Sequence, residues 1–264
     1  MTDSVTSVSG KLKLSDDAKI PYFGLGVWQI PMGEATENAV TWALEAGYRH
    51  IDTATIYRNE RSVGKAILNS KIPREKVWIT TKLWPTGIAN ASRELDESLA
   101  KLGLDYVDLY LIHFPIPGLE KKVWKIMEKL HDSGKCKSIG VSNFSPNQLS
   151  KVLLIANTLP AVNQIKLSPF NYDREVHDFH EKAGIAIEAY SPLTVGKMLG
   201  DSRLQKLAIQ YKKTSPQILI RWALQKGFIV IPRSQNREHI IENSEVFDFN
   251  LTDAHMNYLD SLSN

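Results

Sequence analysis

Apolar residues recur along the chain in two alternating rhythms. Short runs dense in β-branched and aromatic residues occupy 22–25, 48–51, 77–81, 106–112, 138–141, 162–166, 185–189 and 228–231. Several are apolar at almost every position, the pattern of parallel strands covered on both faces. Between the runs the period lengthens. Leu95, Leu99 and Leu102 repeat at i, i+4, i+7, and Val123, Met127 and Leu130 keep the same spacing, so each set forms a stripe along one side of a helix. Ser145-Pro146 followed by Gln148, and Ser215-Pro216 ahead of Ile218, Leu219 and Trp222, read as serine-capped helix starts. Eight strand–helix alternations predict an α/β fold, a (β/α)₈ TIM barrel, with residues 1–264 as one domain. Residues 11–14 and 18–20, turned by Ser15-Asp16-Asp17, predict an N-terminal β-hairpin plugging the barrel bottom. A loop at 191–201 and extra helices at about 202–212 and 252–262 interrupt the regular pattern near the C-terminus.

The composition leaves this picture intact. A chain of 264 residues, 43% apolar and 23% charged, buries a sufficient core without disulfides or a structural metal. Net charge is only +3 and no block of five like charges occurs, which argues against nucleic acid or an anionic membrane as the partner. Lys121-Lys122 and Lys212-Lys213 read as solvated helix faces. With Cys136 alone, no intrachain disulfide is possible, as suits a reducing compartment. The polar N-terminal stretch 1–10 lacks the apolar core of a signal peptide, and no membrane span is visible. The expectation is a cytoplasmic monomer. His177 and His180, three apart on a helix, read as a solvated face rather than a metal pair, and no metal site is expected.

Candidate chemistry lies where the strands end. Asp52 follows 48–51, Lys82 follows 77–81, His113 follows 106–112, and Ser142 and Asn143 follow 138–141. Gln164 lies within 162–166, Tyr190 follows 185–189, and Arg233 stands just beyond 228–231. Barrels of this class build their sites at that end, from several strands. Singly, each residue has a plain structural role: Asp52 a helix cap, His113 a core histidine, Tyr57 a packed aromatic. Jointly the plain reading fares worse, because a lysine at the mouth of a closed barrel is costly to desolvate without a partner. GLGVWQ lacks the third glycine of a Rossmann turn, and phosphate-loop and HExxH motifs are absent.

GLGVW (24–28), EAGYRHIDTATIYRNE (45–60), WITTKLW (78–84), DLYLIHFP (108–115), SIGVSNF (138–144), PAVNQI (160–165), AYSPL (189–193) and IPRS…IIEN (231–243) occur in order along the chain. Together they resemble the aldo-keto reductases over residues 10–262, in particular the compact bacterial members similar to diketogluconate and methylglyoxal reductases. The resemblance implies a NADPH-dependent carbonyl reductase with a catalytic tetrad of Asp52, Tyr57, Lys82 and His113. In it Tyr57 is the general acid/base, Lys82 lowers its pKa, Asp52 holds Lys82, and His113 orients the substrate carbonyl. It further implies cofactor contacts from Gly26, Val27, Trp28, Asp52, Ser142, Asn143, Gln164, Tyr190, Ser191, Leu193, Arg233, Ser234, His239, Glu242 and Asn243. Trp28, Tyr57, Trp84, His113 and Phe114 are implied on the substrate side. The family's adenosine 2′-phosphate clamp usually reads Lys-Ser and then Arg. Here Arg233 and His239 replace the two cations, with Arg237 nearby, which implies NADPH preference with NADH tolerated. Only six residues separate His113 from the next helix, which implies an open pocket for small carbonyl substrates. The rival reading is a nicotinamide-binding regulatory barrel without turnover.

Overall fold

The computed structural model describes residues 5–263; residues 1–4 of the polar N-terminal stretch and residue 264 lie outside it. An antiparallel hairpin opens the fold, β1 (Lys11–Lys13) against β2 (Lys19–Pro21), with Leu12 opposite Ile20. Asp16 accepts the Ala18 amide in its turn at 3.1 Å. Leu14 and Ile20 pack on Trp78, Val162 and Ile229, each the first residue of a barrel strand, so the hairpin closes the end where the strands begin.

The strands β3 (Leu25–Gly26), β4 (His50–Asp52), β5 (Trp78–Leu83), β6 (Val107–Ile112), β7 (Cys136–Ser142), β8 (Val162–Lys166), β9 (Ala186–Tyr190) and β10 (Ile229–Ile231) pair in sequence order, all parallel. The ring shuts where Phe23 bridges Val230 and the Gly24 amide donates to the Val230 carbonyl at 2.9 Å. Helices α1 (Glu34–Glu45), α2 (Glu60–Asn69), α3 (Ala91–Leu102), α4 (Glu120–Asp132), α5 (Pro146–Leu153) and α6 (Arg174–Ala183) alternate with the strands. Beyond β9 come α7 (Ser202–Tyr211) and α8 (Ser215–Gln225), and beyond β10 come α9 (Arg237–Ser244) and α10 (Asp253–Asp260). The leucine stripe of α3 and the Val123–Met127–Leu130 stripe of α4 are buried, as their spacing requires. The helices α2 and α3 meet at Gly64, where a Cβ would lie 1.9 Å from the Leu102 carbonyl oxygen.

Several details differ from the sequence expectation. Four polar residues expected beyond or at strand ends lie within the strands: Asp52 ends β4, Lys82 is in β5, Ser142 ends β7 and Tyr190 ends β9. Interior-facing positions near the mouth carry polar groups that meet each other across the barrel, so pairing continues through them. The cap of α8 is Thr214, not Ser215, because the reciprocal capping box needs Gln217 three residues later. The capping box at Ser145 and Gln148 forms as read. His180 is buried rather than solvated, its ring held by Asn163 Nδ2 at 2.8 Å and the Val176 carbonyl at 2.6 Å. His177 is half-buried and bonded to the Tyr172 hydroxyl at 3.0 Å. Lys213 is tied to Asp248 at 2.7 Å instead of standing free on a helix face. Among the described residues no helix is long and apolar enough to cross a membrane, and no group of three or more His, Cys, Asp or Glu is placed to hold a metal ion.

Candidate active site

The site assembles at the end of the barrel where the strands finish. Lys82 is fully buried and its ammonium touches both Asp52 oxygens at 2.7 Å, the Thr53 carbonyl at 2.9 Å and the Tyr57 hydroxyl at 3.3 Å. Tyr57 closes a short 3₁₀ turn, Thr55–Tyr57, pinned to β5 by the Thr55 hydroxyl donating to the Lys82 carbonyl at 3.2 Å. Asp52 also accepts the Gln164 amide at 2.8 Å, so its carboxylate is fully engaged from β5 and β8. His113 follows β6 and stands among aromatic rings: edge-on to Tyr57 and Trp84, with centroids 5.6 Å and 5.0 Å away, and stacked on Phe114 at 5.2 Å.

Burial decides the protonation of these groups. It pushes Tyr57 above the ordinary phenol value, against the pull of Lys82. The expected lowering by lysine is therefore present but outweighed, and Tyr57 keeps its proton at neutral pH. The Asp52 carboxylate, with the Tyr57 oxygen assisting, holds Lys82 above its ordinary value although burial opposes it. Burial works against the Asp52 charge too, but two 2.7 Å contacts to an ammonium and a donated amide keep the pair ionised. Burial, then the charge of Lys82, pushes His113 down to about 3, so its ring is neutral at working pH.

A cavity of about 830 Å³ opens on this cluster and runs to the start of α9. Of the sequence-derived candidates, Gly26, Trp28, Asp52, Tyr57, Trp84, His113, Phe114, Ser142, Asn143, Gln164, Tyr190, Ser191, Leu193, Arg233, Ser234, His239, Glu242 and Asn243 line it. Val27 does not; its side chain is wholly buried in the core. Lys82 stands behind the wall, reaching the cavity through Tyr57. Arg237 leans away toward Glu45, 3.7 Å off, and adds no charge to the lining. The amide cluster is internally bonded: Asn143 donates to the His113 carbonyl at 3.0 Å and accepts the Tyr190 hydroxyl at 2.8 Å. Asn143 does so from the left-handed region, φ 63°, a conformation asparagine tolerates.

Sequence reasoning missed part of the lining, including Ile56, Val195 and Leu199, residues of short 3₁₀ turns and of a loop, whose positions periodicity does not fix. It also missed Glu188 and His50, buried beneath the tetrad and 3.6 Å apart. An acid inside the otherwise apolar run 185–189, two residues from Tyr190, was the available signal.

A closed eight-stranded barrel with a lysine-backed tyrosine and a neutral histidine at its mouth is a setting for proton-coupled carbonyl chemistry. The aldo/keto reductase family model matches residues 23–264. The chain is 48% identical to an aldo-keto reductase of Mycolicibacterium smegmatis, over 97% of this chain and 94% of that protein. It is 40% identical to the glyoxal reductase of Bacillus subtilis, over 98% and 94% respectively. The structure of a Bombyx mori aldo-keto reductase in complex with NADP superposes with TM-score 0.88 at 36% identity, covering 96% of this chain and 92% of the other. The chain belongs to the aldo/keto reductase family and is an oxidoreductase of that class.

Proposed function

We propose that this protein reduces small aldehydes and ketones with NADPH, Tyr57 supplying the proton. The observation that carries the reading is the buried Lys82 ammonium 3.3 Å from a protonated tyrosine hydroxyl on the wall of the cavity. The residues present fit the cofactor. Tyr190 offers a half-buried ring on the wall, and amides of Asn143 and Gln164 lie beside it. At the far end Arg233, Ser234 and the N-terminus of α9 gather donors and positive charge suited to a phosphate. Bound there, NADPH supplies a hydride to the carbonyl carbon.

The chain's own residues do the rest. His113, neutral, donates a hydrogen bond to the carbonyl oxygen and fixes its direction. Tyr57 gives that oxygen its proton, and Lys82 stabilises the phenolate left behind. Asp52 holds the ammonium in place against the cost of its burial. Running in reverse, the phenolate accepts the proton. Trp28, Trp84 and Phe114 give the substrate apolar walls, and the short 114–119 segment leaves the mouth open to varied carbonyls. Among the described residues Arg233 is the lysine-or-arginine cation on this wall, and His239 stands where the family usually has a second one. NADPH is favoured and NADH tolerated. The same reading makes the protein a single-domain cytoplasmic monomer.

Initial rates of nicotinamide oxidation with aldehydes and ketones, run in parallel with NADPH and NADH, test it. Turnover, faster with NADPH, is the expected result. Tight NADPH binding without turnover on any carbonyl overturns it in favour of a regulatory binder.

A further inference from the structure

Beneath the tetrad the barrel encloses an acid that the chemistry above does not use. Glu188 precedes Tyr190 by two positions on β9, so alternation turns both to the interior. It is wholly buried. In register it stands beside Gln164 of β8 and Ile229 of β10. Neither carboxyl oxygen has a hydrogen-bond partner among the described residues. The titratable groups facing it are Asp52 and Lys82, together with His50, whose Nε2 is 3.6 Å from Glu188 Oε1. Its strand neighbours add no charge, as one is an amide and the other aliphatic.

None of these groups is free to serve as its counter-ion. An ammonium has three hydrogens, and those of Lys82 go to Asp52, the Thr53 carbonyl and Tyr57. The Gln164 amide is turned to Asp52. Burial, and then Lys82's charge, drive His50 down to about 3, so it brings no positive charge. A carboxylate in that position would be a second anion sharing one lysine, and the neighbouring Gln164 amide that could favour it is already bonded to Asp52.

We propose that Glu188 is a positioning residue that keeps its proton in the working enzyme. As a neutral acid it leaves Lys82 committed to Asp52 and Tyr57; on losing its proton to solvent it draws on the same ammonium, strengthens Tyr57's grip on its own proton and switches carbonyl reduction off at alkaline pH. Burial, followed by the charge of Asp52, pushes the Glu188 carboxyl up to about 8 against the pull of Lys82 and of the Gln164 amide, well below the range in which Tyr57 itself ionises. The inference rests on Tyr57 being the proton donor.

The test is the pH profile of kcat/KM for carbonyl reduction by the full chain and by Glu188→Gln. The wild type should lose rate through about pH 8. The amide, a neutral mimic of the protonated acid, should hold the neutral-pH rate within about threefold and carry it at least about one pH unit higher. Superimposable profiles, or an equal loss at every pH, overturn the proposal. Should Glu188→Gln not fold, NMR of the wild type carrying ¹³C-carboxyl glutamate decides: one carboxyl titrating near 8 is expected, and ionisation of every glutamate below about pH 6 overturns the proposal. That measurement needs no turnover. A chain with the high-titrating carboxyl but no reductase activity therefore refutes the proposed function while leaving the protonated acid established.

Discussion

Replacing Lys82 with methionine isolates the energetics of the buried pair. The side chains are similar in length, so packing changes little, but Asp52 is left 2% exposed with the Gln164 amide as its remaining side-chain donor. Removing one partner of a buried pair costs about 3–5 kcal/mol. The folded variant has one escape, which is to protonate Asp52. From an ordinary carboxyl pKa of about 3.9, that costs about 4 kcal/mol at pH 7 and about 1.5 kcal/mol at pH 5, at 1.36 kcal/mol per pH unit. The sign follows from proton counting. The folded variant holds a proton that the unfolded chain has released, so its stability falls as pH rises. Urea unfolding of wild type and Lys82→Met at both pH values should show a deficit near 4 kcal/mol at pH 7, shrinking by about 2.7 kcal/mol at pH 5. A deficit that does not change between pH 5 and 7, or one below about 1 kcal/mol at pH 7, would refute an ionised, mutually dependent Asp52–Lys82 pair.

Tyr57→Phe should cut turnover about 10²- to 10⁴-fold while NADPH affinity, read by fluorescence titration, stays within about threefold; it removes a single 3.3 Å contact from Lys82, whose shorter bonds remain. Arg233→Ala should raise KM for NADPH about 10- to 100-fold, the worth of one charge-assisted hydrogen bond, and leave KM for NADH nearly unchanged; equal effects on both cofactors would remove Arg233 from the phosphate. Gly64→Ala forces a methyl group onto the Leu102 carbonyl, and a loss of about 1–3 kcal/mol is expected in the same urea assay with kcat intact. In stopped assays from pH 5 to 7, reduction should show no inflection from His113, which burial holds neutral throughout; an inflection abolished by His113→Gln would contradict that.

By itself the chain's sequence determined the barrel. Eight apolar runs separated by helical stripes leave few other ways to cover strands on both faces, and a two-residue error at a strand end does not alter that topology. It also determined which side chains collect at the mouth, because Asp52, Tyr57, Lys82 and His113 each sit at or near a strand's end. Folding decided what linear order does not encode. The cap of α8 moved to Thr214 because two side chains had to bond reciprocally, and His180 turned inward to meet Asn163. Protonation was decided there as well. The adjacency of Lys82 and Tyr57 argues for a lowered phenol pKa, yet desolvation by the surrounding barrel outweighs the cation. Glu188 shows the same division. Its place in an apolar run was legible, but its lack of a counter-ion depends on where Lys82 spends three hydrogens. Periodicity is a local property and survives in sequence; dielectric and hydrogen-bond competition are sums over neighbours that only the closed barrel brings together.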